Sequence, residues 1–257
     1  MAKKMHLSGK GLDSIVRNKS RPCISVIIPA HNEERYIFKT LDSILNQDYD
    51  NYDIIVACDS CTDRTADVAR AYPNVTVIEG TYGNAASARN AGAEIAKGEV
   101  FAFIDADTFA MPDYLRKVCE TTHQGFTHGG VKYKTESKNI IGKIERASFN
   151  KDMEKTRTFG GICYVIRALF EEADGFNESL DKWEDTALSE ELREKGRYKF
   201  IKETYVIPSQ RKHKAHNFGY IKSFIQSQIN GTKYFFTKLF KGKSYLFENQ
   251  PHDEQKK

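Results

Sequence analysis

The stretch EVFAFIDADTF, Glu99 to Phe109, decides how the chain is read. An apolar run from Val100 to Ile104 ends in two aspartates, Asp105 and Asp107, with one alanine between them. A short apolar run bounded by polar residues reads as a strand buried on both faces, the kind found in parallel sheets. In extended backbone, residues i and i+2 point to the same side. Both carboxylates can therefore face one ligand. A divalent metal engaged in phosphate chemistry is one such ligand, and a plain polar turn is the competing reading.

Working outward, three similar runs precede this one. They are CISVIIP (Cys23–Pro29), YDIIVACD (Tyr52–Asp59) and NVTVIEG (Asn74–Gly80). Between them lie helical patterns. Ile37, Leu41, Ile44 and Leu45 recur at helical spacing, DRTADVARAY is stopped by Pro73, and NAASARNAGAEIAKG offers Gly98 as a left-handed cap. Four strands alternate with three helices, which predicts an α/β fold with a mainly parallel central sheet flanked by helices. Ligands of such sheets bind outside the carboxyl ends of the strands.

Beyond Pro112 the pattern is mixed. PDYLRKVCE reads as a helix, HGGVKYKT as a strand, Ile140 to about Lys155 as a helix and GICYVIR as β-rich. TALSEELREKG is an amphipathic helix with Gly196 as its stop, and YKFI and TYVIP read as two short strands. Further on, Phe218, Ile221, Phe224, Ile225 and Ile229 are spaced as in a C-terminal amphipathic helix, interleaved with lysines.

The chain has 257 residues, 40% of them hydrophobic and 29% charged, which fits one globular domain with a full core. No apolar run reaches the roughly 18 residues of a membrane span. The first residues lack the apolar core of a signal peptide, so secretion is not expected. Five cysteines, an odd number, do not suggest a disulfide framework and fit a reducing cytoplasm. The net charge of +4 is unevenly spread. Residues 1–22 carry six Lys/Arg and one acid, and residues 209–257 carry ten and three, leaving 23 basic and 31 acidic residues over 23–208. Basic ends on an acidic body can meet an anionic membrane, a lipid phosphate or nucleic acid, or serve solubility alone. The expected location is cytoplasmic, peripheral on the inner face of the membrane, with no nucleic-acid partner.

Four strand ends carry polar residues: Pro29 to Glu33, Asp59 to Asp63, the lead into Asn84 and Arg89, and Asp105 to Asp107. Taken in order, SVIIPAHNEE, ACDSCTDRT, AASARNAG, FIDAD and DGFNESLDKWEDTALSEELREKG resemble the motifs of family 2 glycosyltransferases. The match runs from about Cys23 to Arg211. The resemblance implies a GT-A type fold and inverting transfer of a sugar from a UDP- or GDP-sugar to an acceptor hydroxyl, assisted by Mn²⁺ or Mg²⁺. The acceptor implied is a glycan, a lipid-linked sugar or a small molecule, as in cell-envelope glycan synthesis.

Residue by residue, the resemblance puts Pro29, His31 and Glu33 in the nucleotide pocket, with His31 standing where tyrosine is usual. Asp59 matches the aspartate that bonds the base, and Arg89 the arginine near the diphosphate. Asp105 resembles the first aspartate of the Asp-x-Asp motif, facing ribose and metal, and Asp107 the second, a direct metal ligand. Glu184 and Asp185 resemble the acid pair at the acceptor, with Asp185 the general base. His213 or His216 is the candidate C-terminal metal ligand, and Ser209-Gln210-Arg211-Lys212 resembles a Ser-x-Arg-Arg segment, with Lys212 in place of the second arginine. The expected organisation is a basic extension over 1–22, the transferase domain over 23–211 and a basic aromatic appendage over 212–257.

Rival readings exist for the same residues. FIDADTF also matches the nucleophile motif of haloacid-dehalogenase-like phosphatases, but that motif normally lies on the first strand. CDSC, Cys58 to Cys61, resembles a redox pair, and with HKAH a zinc site, although Cys58 sits inside an apolar run. A non-catalytic nucleotide-sugar-binding module on the same fold is the third alternative. A carboxylate pair opening a helix could also serve only to stabilise that helix through its dipole.

Overall fold

The computed structural model describes residues 22–135 and 140–209. The basic N-terminal extension, His213, His216 and the C-terminal amphipathic helix lie outside the described residues. So does the Ser-x-Arg-Arg-like segment beyond Ser209.

The first three strands are β1 (Ile24–Ala30), β2 (Tyr52–Asp59) and β3 (Val75–Gly80), and the fourth is β4 (Val100–Phe103). β1 pairs in parallel with both β2 and β4, and β2 pairs in parallel with β3. Isoleucines and valines fill β1 and the middle of β2, Ile54 to Val56, and these stretches are buried on both faces, as central parallel strands are. β3 alternates between half-buried and exposed positions, which suits an edge. The crossovers contain α1 (Ile37–Leu45), α2 (Thr65–Arg70) and α3 (Ala85–Ile95). α1 buries Ile37, Thr40, Leu41 and Ile44, the i, i+3, i+4, i+7 stripe its sequence carries.

The second half is less regular. It contains β5 (Thr108–Ala110), α4 (Tyr114–His123), β6 (His128–Tyr133), α5 (Ile140–Thr156), β7 (Cys163–Ile166), α6 (Arg167–Glu172), α7 (Glu184–Arg193) and β8 (Ile201–Pro208). The eight strands form one sheet in the order β3-β2-β1-β4-β7-β6-β8-β5. β7 runs antiparallel to both β4 and β6, β8 runs parallel to β6, and β5 runs antiparallel to β8. The parallel half is the one the alternating pattern predicts. No helix among the described residues is long and apolar enough to cross a membrane.

Several local expectations are corrected. Gly98 is not a left-handed cap: α3 ends at Ile95 and Ala96 is extended. Gly98 instead packs against β1, where a Cβ would stand 2.5 Å from the Ser25 nitrogen. Gly196, by contrast, does close α7, its nitrogen donating to the Leu192 carbonyl at 3.0 Å, and a Cβ there would also meet Thr127 Oγ1 at 2.2 Å. YKFI and TYVIP are not two strands. Ile201–Pro208 is one strand, and Tyr198 contributes a single bridge to His128. β5 and α6 are too short for their periodicity to be legible in the sequence.

Candidate active site

Because β1, β2 and β4 are parallel neighbours, their carboxyl ends share one edge of the sheet. The hydrogen bonds there divide the predicted residues into two groups.

The first group joins the ends of β1 and β2. His31, exposed, brings its Nδ1 to 2.7 Å from the Asp59 carbonyl oxygen. Asn32 adopts a left-handed φ of 54°, tolerable for asparagine. Its Oδ1 accepts from the nitrogens of Thr62 at 2.8 Å and Asp63 at 3.3 Å. The Glu33 nitrogen donates to Thr65 Oγ1, and the Glu33 side chain is buried. Asp59 is also buried. Its Oδ1 accepts from the nitrogens of Tyr82 at 2.7 Å and Gly83 at 3.1 Å and from Ser60 Oγ at 3.1 Å. One carboxylate oxygen thus orders the loop after β3, and Oδ2 remains for a further donor. Pro29 is half-buried at the end of β1. Cys58 belongs to the core, and burial followed by the nearby Cys61 thiol pushes its own thiol up to about 12. Such a thiol carries almost no thiolate at neutral pH, which removes the main support for a reactive pair.

The second group is centred on Arg89, which is 3% exposed. Its Nη2 donates to Asp105 Oδ1 at 2.9 Å and its Nη1 to Glu184 Oε1 at 2.7 Å. The guanidinium lies 5.3 Å from the Phe176 ring centroid. Burial works against its charge, but Asp105 and then Glu184 more than offset that and raise its pKa further. The sequence reading put Arg89 near a diphosphate; the structure places it behind two carboxylates, with both terminal nitrogens engaged. Gly161, just before β7, completes the enclosure: a Cβ there would stand 2.8 Å from Arg89 Nη2 and 2.9 Å from both Asp105 oxygens.

Glu184 and Asp185 open α7. Asp185 is half-buried, and its Oδ1 accepts from the Thr186 nitrogen at 2.6 Å. A helix N-terminus by itself favours the carboxylate and lowers its pKa. Asp185 goes the other way, up to about 6, because of burial first and the Glu184 charge second, against the pull of the Thr186 bond and Arg89. Desolvation therefore wins over the dipole.

Asp107, half-buried, accepts from Ser209 Oγ at 2.5 Å, and its carbonyl accepts from the Ser209 nitrogen at 2.8 Å. The end of β8 is thereby fixed to the Asp-x-Asp turn. Thr40 Oγ1 supports the same turn from α1, donating to the Ala106 carbonyl at 2.8 Å. No cluster of three or more His, Cys, Asp or Glu side chains that could hold a metal exists among the described residues. Asp105 to Asp107 is a turn, with the Thr108 nitrogen on the Asp105 carbonyl at 3.0 Å, rather than the extended backbone expected; its two carboxylates are still of the type that, together with substrate phosphates, commonly holds Mg²⁺ or Mn²⁺.

The sequence reading missed what holds this group in place. Asn84 Oδ1 caps α3 at Ser87 N and its Nδ2 reaches the Glu178 carbonyl at 2.8 Å. Asn90 clamps the loop before α7, donating to the Phe176 carbonyl at 2.9 Å and accepting from the Phe176 nitrogen at 2.9 Å. Gly175, at φ 76°, lets that loop turn against Asn90. The Asn of AARN and the Gly of DGF were the available signals.

The model of Glycosyl transferase family 2 matches residues 25–173, and the chain belongs to this family. Among curated relatives, it is 28% identical over 204 residues to the uncharacterized glycosyltransferase EpsJ of Bacillus subtilis (strain 168), covering 71% of this chain and 59% of that one. The chain spans three-fifths or less of the length of the first curated relatives it matches. Among solved structures, S. aureus TarS 1-349 in complex with UDP-GlcNAc superposes with a TM-score of 0.62 at 21% identity, over 72% of this chain and 58% of that one. The mannosyltransferase PcManGT from Pyrobaculum calidifontis, in complex with GDP-Man and Mn²⁺, gives 0.65 at 20% identity, over 92% and 74%. These likenesses show a GT-A glycosyltransferase fold.

Proposed function

We propose that this chain transfers a sugar from a nucleoside-diphosphate sugar to an acceptor hydroxyl with inversion at the anomeric carbon. The observation that carries the proposal is Asp185, a carboxylate raised to about 6 beside a Glu184 that Arg89 ties to Asp105. Asp185 takes the proton from the acceptor hydroxyl. The acceptor oxygen attacks the anomeric carbon from the face opposite the diphosphate. The bond from that carbon to the diphosphate oxygen breaks, and the nucleoside diphosphate departs with its electron pair.

Arg89 acts through its partners in this scheme, holding Asp105 and Glu184 in register. Asp59, whose Oδ2 remains for a donor, accepts an N–H of the base, and Pro29, His31 and Glu33 complete that pocket. Asp107, with Asp105, would hold Mn²⁺ or Mg²⁺. Such an ion supplies charge neutralisation on the leaving diphosphate. The UDP-GlcNAc and GDP-Man complexes of TarS and PcManGT support a nucleotide-sugar donor. The acceptor proposed is a cell-envelope glycan, reached at the cytoplasmic face of a membrane through the basic ends of the chain.

Thermal unfolding with UDP-Glc, UDP-GlcNAc, UDP-Gal and GDP-Man, each with Mn²⁺ and with chelator, tests this reading. One donor far above its Kd should stabilise the protein by a few kcal/mol and be hydrolysed slowly. No stabilisation and no turnover with any nucleotide-sugar would overturn it.

A further inference from the structure

We infer that the indole of Trp183 is a stacking platform for a sugar ring of the acceptor, so that the acceptor ends in a pyranose rather than in an acyclic polyol or a lipid hydroxyl. The inference rests on Asp185 being the base that meets the acceptor.

Trp183 is 65% exposed, and the only other exposed aromatic among the described residues is Phe38 at 38%. An indole packed for stability would be buried, whereas this one, on the residue that directly precedes the acid pair in the chain, is open to solvent. Its backbone is fixed: the Trp183 carbonyl accepts from the Ala187 nitrogen at 2.9 Å in the first turn of α7. Its φ is 69°, a left-handed conformation in which a bulky side chain is uncommon and glycine or asparagine sits with less strain. The preceding loop is tied down as well. Glu178 is held by Asn84 and Asn90, and Ser179 Oγ donates to Asn177 Oδ1 at 2.7 Å. The platform therefore stands on an anchored support, two residues from the proton acceptor.

The chemistry of such a surface selects its partner. One face of a pyranose presents several C–H groups and no hydroxyls. That face is apolar, and its slightly positive hydrogens meet the negative face of an aromatic ring. Stacking also fixes which edge of the sugar turns towards Asp185, as transfer to a single hydroxyl requires. An acyclic polyol has no rigid apolar face to offer.

Trp183 is the single tryptophan of the chain, so the intrinsic fluorescence of the full-length protein reports on this indole alone. The protein, saturated with Mn²⁺ and its donor nucleoside diphosphate, is titrated with the methyl glycosides of glucose, N-acetylglucosamine, galactose and mannose, and with sorbitol. A saturable change in emission with at least one glycoside and none with sorbitol is the expected result. That glycoside then serves as acceptor in transfer assays. Trp183→Ala should raise its KM about tenfold, the size of a lost aromatic contact, while Trp183→Phe keeps KM within a few-fold. No emission change with any glycoside, or an equal change with sorbitol, would overturn the platform. If the wild type still binds and hydrolyses a nucleotide-sugar, the transferase reading survives that failure. Protein that binds no nucleotide-sugar overturns both.

Discussion

Glu184 lies 95 residues after Arg89 in the chain, yet its Oε1 receives Arg89 Nη1 at 2.7 Å. The same guanidinium reaches Asp105 at the end of the fourth strand. One buried cation thus joins a crossover helix, the Asp-x-Asp turn and the helix that carries Asp185. A single side chain thereby ties these three elements to one another.

Removing that cation should be costly. Arg89→Ala leaves the half-buried Glu184 without its partner, while Asp105 is exposed enough to be solvated. Breaking a buried pair from one side typically costs about 3–5 kcal/mol, and the lower end applies here. Arg89 also pulls the Asp185 pKa down. Its loss should therefore move the acid limb of any residual activity to higher pH. Urea unfolding and a pH–rate profile of Arg89→Ala check both; unchanged stability would mean that the pair is incidental.

Gly161→Ala tests the same group without changing a charge. The added Cβ would stand 2.8–2.9 Å from Arg89 Nη2 and the Asp105 carboxylate, so something must shift. Overpacking of this kind costs about 1–3 kcal/mol. Donor affinity should fall along with stability, because Asp105 moves. Wild-type affinity in isothermal titration would show that the enclosure tolerates a methyl group.

His128 predicts a stability transition in acid. It is fully buried, its Nε2 has no hydrogen-bond partner, and burial lowers its pKa to about 4. The unfolded chain, with an ordinary pKa near 6.5, binds the proton first. The stabilising contribution is complete above about pH 6.5 and is lost as pH falls from there towards 4. Its full size is about 3 kcal/mol. Melting temperatures of wild type and His128→Phe between pH 4 and 7 should differ in slope, the variant losing less. Parallel curves would contradict the assignment.

Asp107→Asn keeps the shape of the side chain and removes a charge. Donor affinity of the wild type should fall when Mn²⁺ is replaced by chelator, and that of the variant should be low in both conditions. Equal affinity in all four measurements would remove the metal from the account.

The parallel half of the sheet was legible because central strands of this kind must be apolar on both faces, and β1, β2 and β4 are. The strand-end aspartates were legible for a related reason: charges that interrupt such runs stand out. What the sequence could not convey was who pairs with whom. Arg89 reads as a lone cation in AASARNAG, and only the packing of α3 against the loop before α7 shows it spent on Asp105 and Glu184. Gly98 looked like a left-handed helix cap because glycine serves both as such a cap and as a point of close approach. Tertiary contact decided for the second. β5 and α6, of three and six residues, carry too little periodicity to be seen at all.

The central claim is that Asp185 is the base. Asp185→Asn, measured for donor affinity and for the rate of sugar transfer per folded molecule, addresses it directly. The account predicts donor affinity within a few-fold of wild type and a transfer rate lower by about 10²–10⁴-fold, the usual cost of losing a positioned base. A side chain that only stabilises the start of its helix would cost stability and leave the rate alone. Folded Asp185→Asn protein that transfers sugar at the wild-type rate would contradict the account.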